Sequence, residues 1–108
     1  MIGKIVKVIV DRPLGSYHPT YKNIQYPVNY GYIPKILAGD GEEQDAYILG
    51  VDIPLTNFIG KVIAIIHRKN DNENKWVVAP ENLILLKEEI SKAVEFQEKY
   101  FDIEIITE

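Results

Sequence analysis

FIGKVIAIIH (residues 58–67), RKNDNEN (68–74) and KWVVA (75–79) form one continuous stretch whose pattern decides the architecture. Isoleucine and valine dominate the first and last pieces, and β-branched side chains fit a half-buried pleated surface. The middle piece is wholly polar, and its Asp71-Asn72 pair suits a turn. The stretch therefore reads as a strand, a polar hairpin connection and a returning strand. Its uninterrupted apolar run, Val62–Ile66, is far too short to span a bilayer. Trp76, inside the returning strand, is expected in the core.

Upstream, Ile2–Val10 is a further strand, ended by DRPLGS. Residues 12–25 make a long excursion rich in Pro, Gly, His and Tyr, the pattern of an ordered functional loop or a flap. YPVNYGYIP (26–34) is extended, with Gly31 allowing close backbone approach. GDGEEQ (39–44) is a carboxylate-dense turn, DAYILGV (45–51) a strand, and residues 54–57 another turn. Downstream, Pro80 and Glu81 break the sheet pattern. Lys87–Tyr100 is helical, with Ile90, Val94 and Gln97 on one side and Ala93 and Phe96 beside them. Phe101–Ile106 is a last short strand. Short strands followed by one helix predict a mainly β fold, a small mixed barrel or curled sheet with the helix packed against it.

The chain has 108 residues, 46% of them hydrophobic, which predicts a single folded domain over residues 1–108. Without cysteine, it has no disulfides, thiolate metal sites or cysteine catalysis. A net charge of -4 argues against a general nucleic-acid or anionic-membrane surface. MIGKIVKVIV at the start carries Lys4 and Lys7 within its apolar stretch and reads as a strand, not a signal peptide, so the expected location is cytoplasmic. Five of the seven tyrosines, Tyr17, Tyr21, Tyr26, Tyr30 and Tyr32, lie between residues 17 and 32. Phenylalanine would fill a core without a hydroxyl that needs a partner, so this crowding requires an explanation.

Four carboxylates, Asp40, Glu42, Glu43 and Asp45, fall within six residues. Such a turn is either simply solvated or relieved by a hard divalent cation, which takes oxygen ligands together with substrate phosphates. The turn lacks the twelve-residue calcium-loop pattern. Asp71, Glu73 and Lys75 pose the same choice between a polar hairpin tip and a site for a metal and a phosphate oxygen. Arg12 precedes a proline and is either a bidentate phosphate grip or a surface ion pair. Tyr26, Tyr30 and Tyr32 can share one face of extended backbone, as phosphate donors or as barrel wall. His18 and His67 are too far apart in the chain for a zinc motif, and His67, Arg68 and Lys69 suggest a basic rim.

Three segments in order, YPVNYGYIP (26–34), DGEEQDAYILG (40–50) and KWVVAP (75–80), together with VDR at 10–12, resemble the soluble family I inorganic pyrophosphatases. The likeness covers roughly residues 8–80, with a fainter echo in FQEKYFD (96–102). It implies a small OB-like five-stranded barrel with a C-terminal helix outside. It implies Mg2+-dependent hydrolysis of inorganic pyrophosphate, or a related small diphosphate, to phosphate. By position, Asp40, Glu42, Asp45, Asp71 and Glu73 would be metal ligands, with Glu42 also orienting or deprotonating water. Arg12, Tyr26, Lys75 and Tyr100 would bind substrate, and Tyr30, Arg12 and Lys75 would serve catalysis. The chain departs from the family pattern at several places. Glu42 and Glu73 stand where aspartates are expected, Phe101 stands where a lysine is expected, and the hairpin before Lys75 is short. A catalytically weak or inactive phosphate-ligand-binding domain on the same barrel is the alternative. Tyr17, His18, Tyr21 and Lys22 of the excursion are candidates to replace missing groups. A homo-oligomer is expected, and neither nucleic acid nor membrane is an expected partner, although exposed tyrosines able to stack bases keep a nucleic-acid-binding barrel as a third reading.

Overall fold

The computed structural model describes residues 1–70 and 73–107. Along the chain run β1 (Ile5–Arg12), β2 (Asn29–Leu37), β3 (Glu43–Ile48), β4 (Asn57–Arg68), β5 (Asn74–Ala79), α1 (Lys87–Glu98) and β6 (Ile103–Ile106). The sheet order is β1-β2-β3-β5-β4-β6, and β1 also pairs with β4. That last pairing closes β1, β2, β3, β5 and β4 into a five-stranded barrel, while β6 extends the wall beside β4. The β3–β5 pair is parallel and the rest antiparallel. The mainly β barrel with a single C-terminal helix is thus the architecture expected from the sequence.

Element ends differ from the sequence expectation. The first strand starts at Ile5 and continues through Arg12, because Arg12 still pairs with Tyr30 across a bulge. The third begins at Glu43, so Asp45 lies inside a strand and does not open one. The helix ends at Glu98, two residues early, and residues 99–102 turn the chain back toward β4, where Lys69 donates its N–H to Asp102. The excursion is ordered by an isolated bridge between Tyr17 and Gln25 and by backbone bonds to Tyr26 and Ser16. Its base is pinned by the buried Asn29 amide oxygen, which accepts the N–H groups of Leu14 and Leu55.

Two apolar clusters flank the same strands. Val8, Ile33, Ile48, Val62, Trp76 and Val78 form one; Tyr26, Tyr30, Tyr47, Ile66, Val77, Ile90 and Val94 form the other. Residues of opposite parity, such as Ile48 and Tyr47, or Val78 and Val77, belong to different clusters. The first therefore fills the barrel and the second seals its outer wall against α1. On β4 an irregularity between Val62 and Ala64 switches faces, so Ala64 and Ile66 join the helix-side cluster although they share the parity of Val62. Arg68 follows Ile66 on that helix-facing parity and is buried, so the expected basic rim is not formed by this residue. Gly31 closes the barrel seam: a Cβ there would lie 1.9 Å from the Ile9 carbonyl oxygen.

The helix is held by Ile90 and Val94, each worth roughly 1.5–3 kcal/mol on burial. The Glu89 carboxylate accepts the Leu86 N–H, satisfying a free donor at the helix start. No helix among the described residues is long and apolar enough to cross a membrane.

Candidate active site

A cavity of about 630 Å³ opens on the helix side of the wall, lined by Arg12, Tyr30, Asp45, Arg68, Glu73, Lys75, Tyr100 and Phe101, with His18 and Tyr21 from the excursion. The parallel pairing of β3 with β5 sets its floor. Ala46 faces Trp76 in register, so Asp45 and Lys75 lie side by side and share the face of Tyr47 and Val77. Lys75 Nζ donates to Asp45 Oδ2 at 2.7 Å and to Glu73 Oε1 at 2.5 Å. The lysine is 3% exposed, whereas both carboxylates are about one-third exposed, so the ammonium lies beneath its two partners.

Tyr30 donates to the same Asp45 Oδ2 at 3.0 Å. Burial, and then the Asp45 charge, push its pKa well above 10, so it remains a donor. Arg12 Nη1 donates to Tyr26 Oη at 2.7 Å, and its guanidinium lies 5.7 Å and 5.5 Å from the Tyr26 and Tyr30 ring centres. Burial opposes the charge on Arg12 most strongly, but the Tyr26 bond together with the fields of Tyr26, Tyr30 and Asp11 leaves the pKa raised. His18 Nδ1 accepts the N–H groups of Thr20 and Tyr21, which leaves the proton of a neutral ring on Nε2. Burial and then Arg12 lower its pKa, favouring that neutral form.

A second cavity, of about 400 Å³, is lined by Tyr32, Asp40, Glu42, Glu43, Asp45, Glu73 and Asn74. Asp45 and Glu73 line both cavities and form the wall between a cationic side and an acidic side. Asp40 and Glu42 lie on the exposed turn, where Asp40 Oδ1 accepts the Glu42 N–H at 3.0 Å. Asp71 lies outside the described residues. Among the described residues no three acidic or histidine side chains stand together as a metal-holding group. With Asp45 and Glu73 both committed to Lys75, the described side chains do not fit a preformed magnesium cage.

The structure thus brings Arg12, Tyr30, Asp45, Glu73, Lys75 and Tyr100 to one cavity and leaves Asp40 and Glu42 on its acidic flank. Tyr26 sits wholly buried beneath Arg12. Four further residues emerge that pattern reading did not select for the site. Arg68 makes a two-point bond to Glu98, at 2.9 Å and 2.7 Å, and its guanidinium lies 3.7 Å over the Phe101 ring. Tyr47 donates to Glu98 at 2.6 Å, and Gln97 bridges Tyr26 and Tyr47. Burial lowers the Arg68 pKa, but the bonds and charge of Glu98, with Tyr47 and Glu73, together raise it, so the guanidinium stays charged. The available signal was polarity at apolar positions: Gln97 on the buried side of the helix, and Arg68 two residues after the buried Ile66 on the same face of a strand.

Fold and cleft together define a small closed barrel with a mixed-charge cavity between its wall and a C-terminal helix. A model of the inorganic pyrophosphatase family matches residues 4–103, and the chain belongs to that family. Among solved structures it is similar to an inorganic pyrophosphatase from Ehrlichia chaffeensis, with TM-score 0.73 and 18% identity over 99% of this chain and 88% of the other. It is also similar to one from Neisseria gonorrhoeae, with TM-score 0.70 and 22% identity over 91% of this chain and 74% of the other. The enzyme from Helicobacter pylori gives TM-score 0.68 and 18% identity, covering 96% and 83%. No curated protein matches the chain significantly.

Proposed function

We propose that this chain binds inorganic pyrophosphate, or a related small diphosphate, between Arg12 and Lys75, with slow or absent turnover. The observation that carries this reading is the shared cavity of a half-buried guanidinium, fixed by the buried Tyr26, and a buried ammonium, fixed by Asp45 and Glu73 of the cavity wall. Pre-positioned cations bind phosphate oxygens without first paying side-chain entropy, and an arginine adds a planar fork. The exposed Tyr100 supplies a hydroxyl at the same opening, the Tyr30 hydroxyl orients Asp45 beneath it, and the neutral His18 supplies an N–H donor on the same cavity. Weak turnover is supported by Glu42, which stands one methylene further out than the aspartate of the family pattern. Misplacement of a reacting group by about 1 Å can cost on the order of a hundredfold. The commitment of Asp45 and Glu73 to Lys75 points the same way.

A second reading is magnesium-dependent hydrolysis of the same ligand. It is favoured by five carboxylates, Asp40, Glu42, Glu43, Asp45 and Glu73, lining one acidic cavity beside the cationic one. In that reading Mg2+ would supply charge neutralisation and water activation, with Asp71 as a further ligand. Family membership supports a cytoplasmic, homo-oligomeric setting for either activity.

Calorimetric binding of pyrophosphate, paired with phosphate release from pyrophosphate and nucleoside triphosphates with and without magnesium, tests both. Saturable binding with little release is expected. Rapid magnesium-dependent release that disappears in Asp45→Ala favours the hydrolase, and absence of pyrophosphate binding under every condition rejects both readings.

A further inference from the structure

We propose that Gln97 and Glu98, adjacent at the end of α1, are positioning residues that set the separation between the cationic clamps Arg12 and Lys75. The inference rests on the pyrophosphate-binding reading and adds what holds that site to its spacing.

Two arms leave this dipeptide. In the first, Arg12 donates to Tyr26, and Tyr26 donates to Gln97 Oε1 at 2.6 Å. In the second, Arg68 grips Glu98 at two points and donates through Nη1 to Glu73 Oε2 at 3.2 Å; the other oxygen of Glu73 holds Lys75. Tyr47 joins the arms, accepting from Gln97 Nε2 at 2.8 Å and donating to Glu98 Oε2 at 2.6 Å. Every hydroxyl in the chain of bonds accepts once and donates once, so the donor directions agree from Arg12 to Glu98.

Fastening the helix does not require this arrangement. Ile90 and Val94 already seal α1 against the wall, and a buried ion pair seldom stabilises more than an apolar pair of similar volume. Polar groups in a fully bonded network instead fix one geometry. Here each arm ends on a cation that lines the cavity, and the Phe101 ring stacked on Arg68 restrains the guanidinium plane at the middle of the second arm.

A ligand that must reach both cations responds to their separation, whereas a single phosphate adapts to either one. The discriminating quantity is therefore the ratio of pyrophosphate affinity to inorganic phosphate affinity, measured by calorimetry in Gln97→Leu and Glu98→Gln. Each variant is expected to lower the ratio by about tenfold, the scale of one buried hydrogen bond, with phosphate affinity nearly constant. Glu98→Gln removes a negative charge and by simple electrostatics would tighten anion binding, so a loss there is specific to position. Tyr26→Phe, which deletes one hydroxyl of the first arm, and Tyr47→Phe, which cuts the link between arms, give the same readout if either larger change prevents folding. Folded variants with an unchanged ratio, or with equal loss for both ligands, overturn the inference while wild-type binding stands. A wild-type protein that binds no pyrophosphate overturns the binding reading and this inference together.

Discussion

Lys75 and Asp45 meet at 2.7 Å as neighbours across a parallel strand pair, a buried ammonium beneath a partly exposed carboxylate. The contact gives Lys75 two competing roles, as counter-ion to Asp45 and Glu73 and as clamp for an incoming phosphate. Lys75→Met is expected to weaken pyrophosphate binding by roughly tenfold or more, since it deletes a charge-assisted donor and leaves two carboxylates facing the ligand. Isothermal titration calorimetry measures this directly, and unchanged affinity would remove Lys75 from the site.

The pair formed by Arg68 and Glu98 is buried on both sides, at 5% and 2% exposure. Arg68→Met strands the Glu98 charge in the interior and should cost about 3–5 kcal/mol of stability. Replacing both, Arg68→Met with Glu98→Leu, should recover much of that loss because no charge remains to be desolvated. Denaturant melts of the single and double variants decide the point, and a double variant no more stable than the single one contradicts it.

At Gly31 the barrel seam leaves no room for a side chain, since an added Cβ meets the Ile9 carbonyl and the Val10 backbone. Gly31→Ala is predicted to destabilise the fold by about 2–4 kcal/mol, because backbone atoms and not a flexible side chain must give way. A melting temperature within a degree or two of the parent would show that the seam opens freely.

Tyr30 and Tyr47 have pKa values raised well above 10, first by burial and then by Asp45 and Glu98 respectively. The folded state thus holds these protons more tightly than the unfolded chain. Their contribution to stability is complete below the unfolded value near 10 and is lost as pH rises toward the folded values. Urea melts between pH 8 and about 11 should show a falling midpoint whose slope is reduced in Tyr47→Phe and untouched in the exposed Tyr17→Phe. Equal slopes in the two variants would contradict this assignment.

The tyrosine crowding was legible in the sequence, but its cause was not. Tyr26 and Tyr30 sit beneath the cavity with Tyr47, a tyrosine from outside the crowded segment, and their hydroxyls find partners more than ten residues away in the chain. The acidic loop was equally visible, yet local spacing could not divide it. Asp45 faces Lys75 because β3 pairs in parallel with β5, whereas Asp40 closes a bond to its own turn. The switch of faces on β4 escaped the alternation rule because the irregularity after Val62 leaves no compositional mark.

By itself, the sequence determined the elements and the family resemblance. Strand periodicity, helix periodicity and the order of YPVNYGYIP, DGEEQDAYILG and KWVVAP are local properties of the chain. Tertiary structure alone decided which charges are joined. Arg12 to Gln97 and Lys75 to Glu98 are linked through side chains on different elements, and such contacts depend on sheet register and helix docking. Those are set by the collective burial of two apolar clusters, a quantity that no local pattern contains.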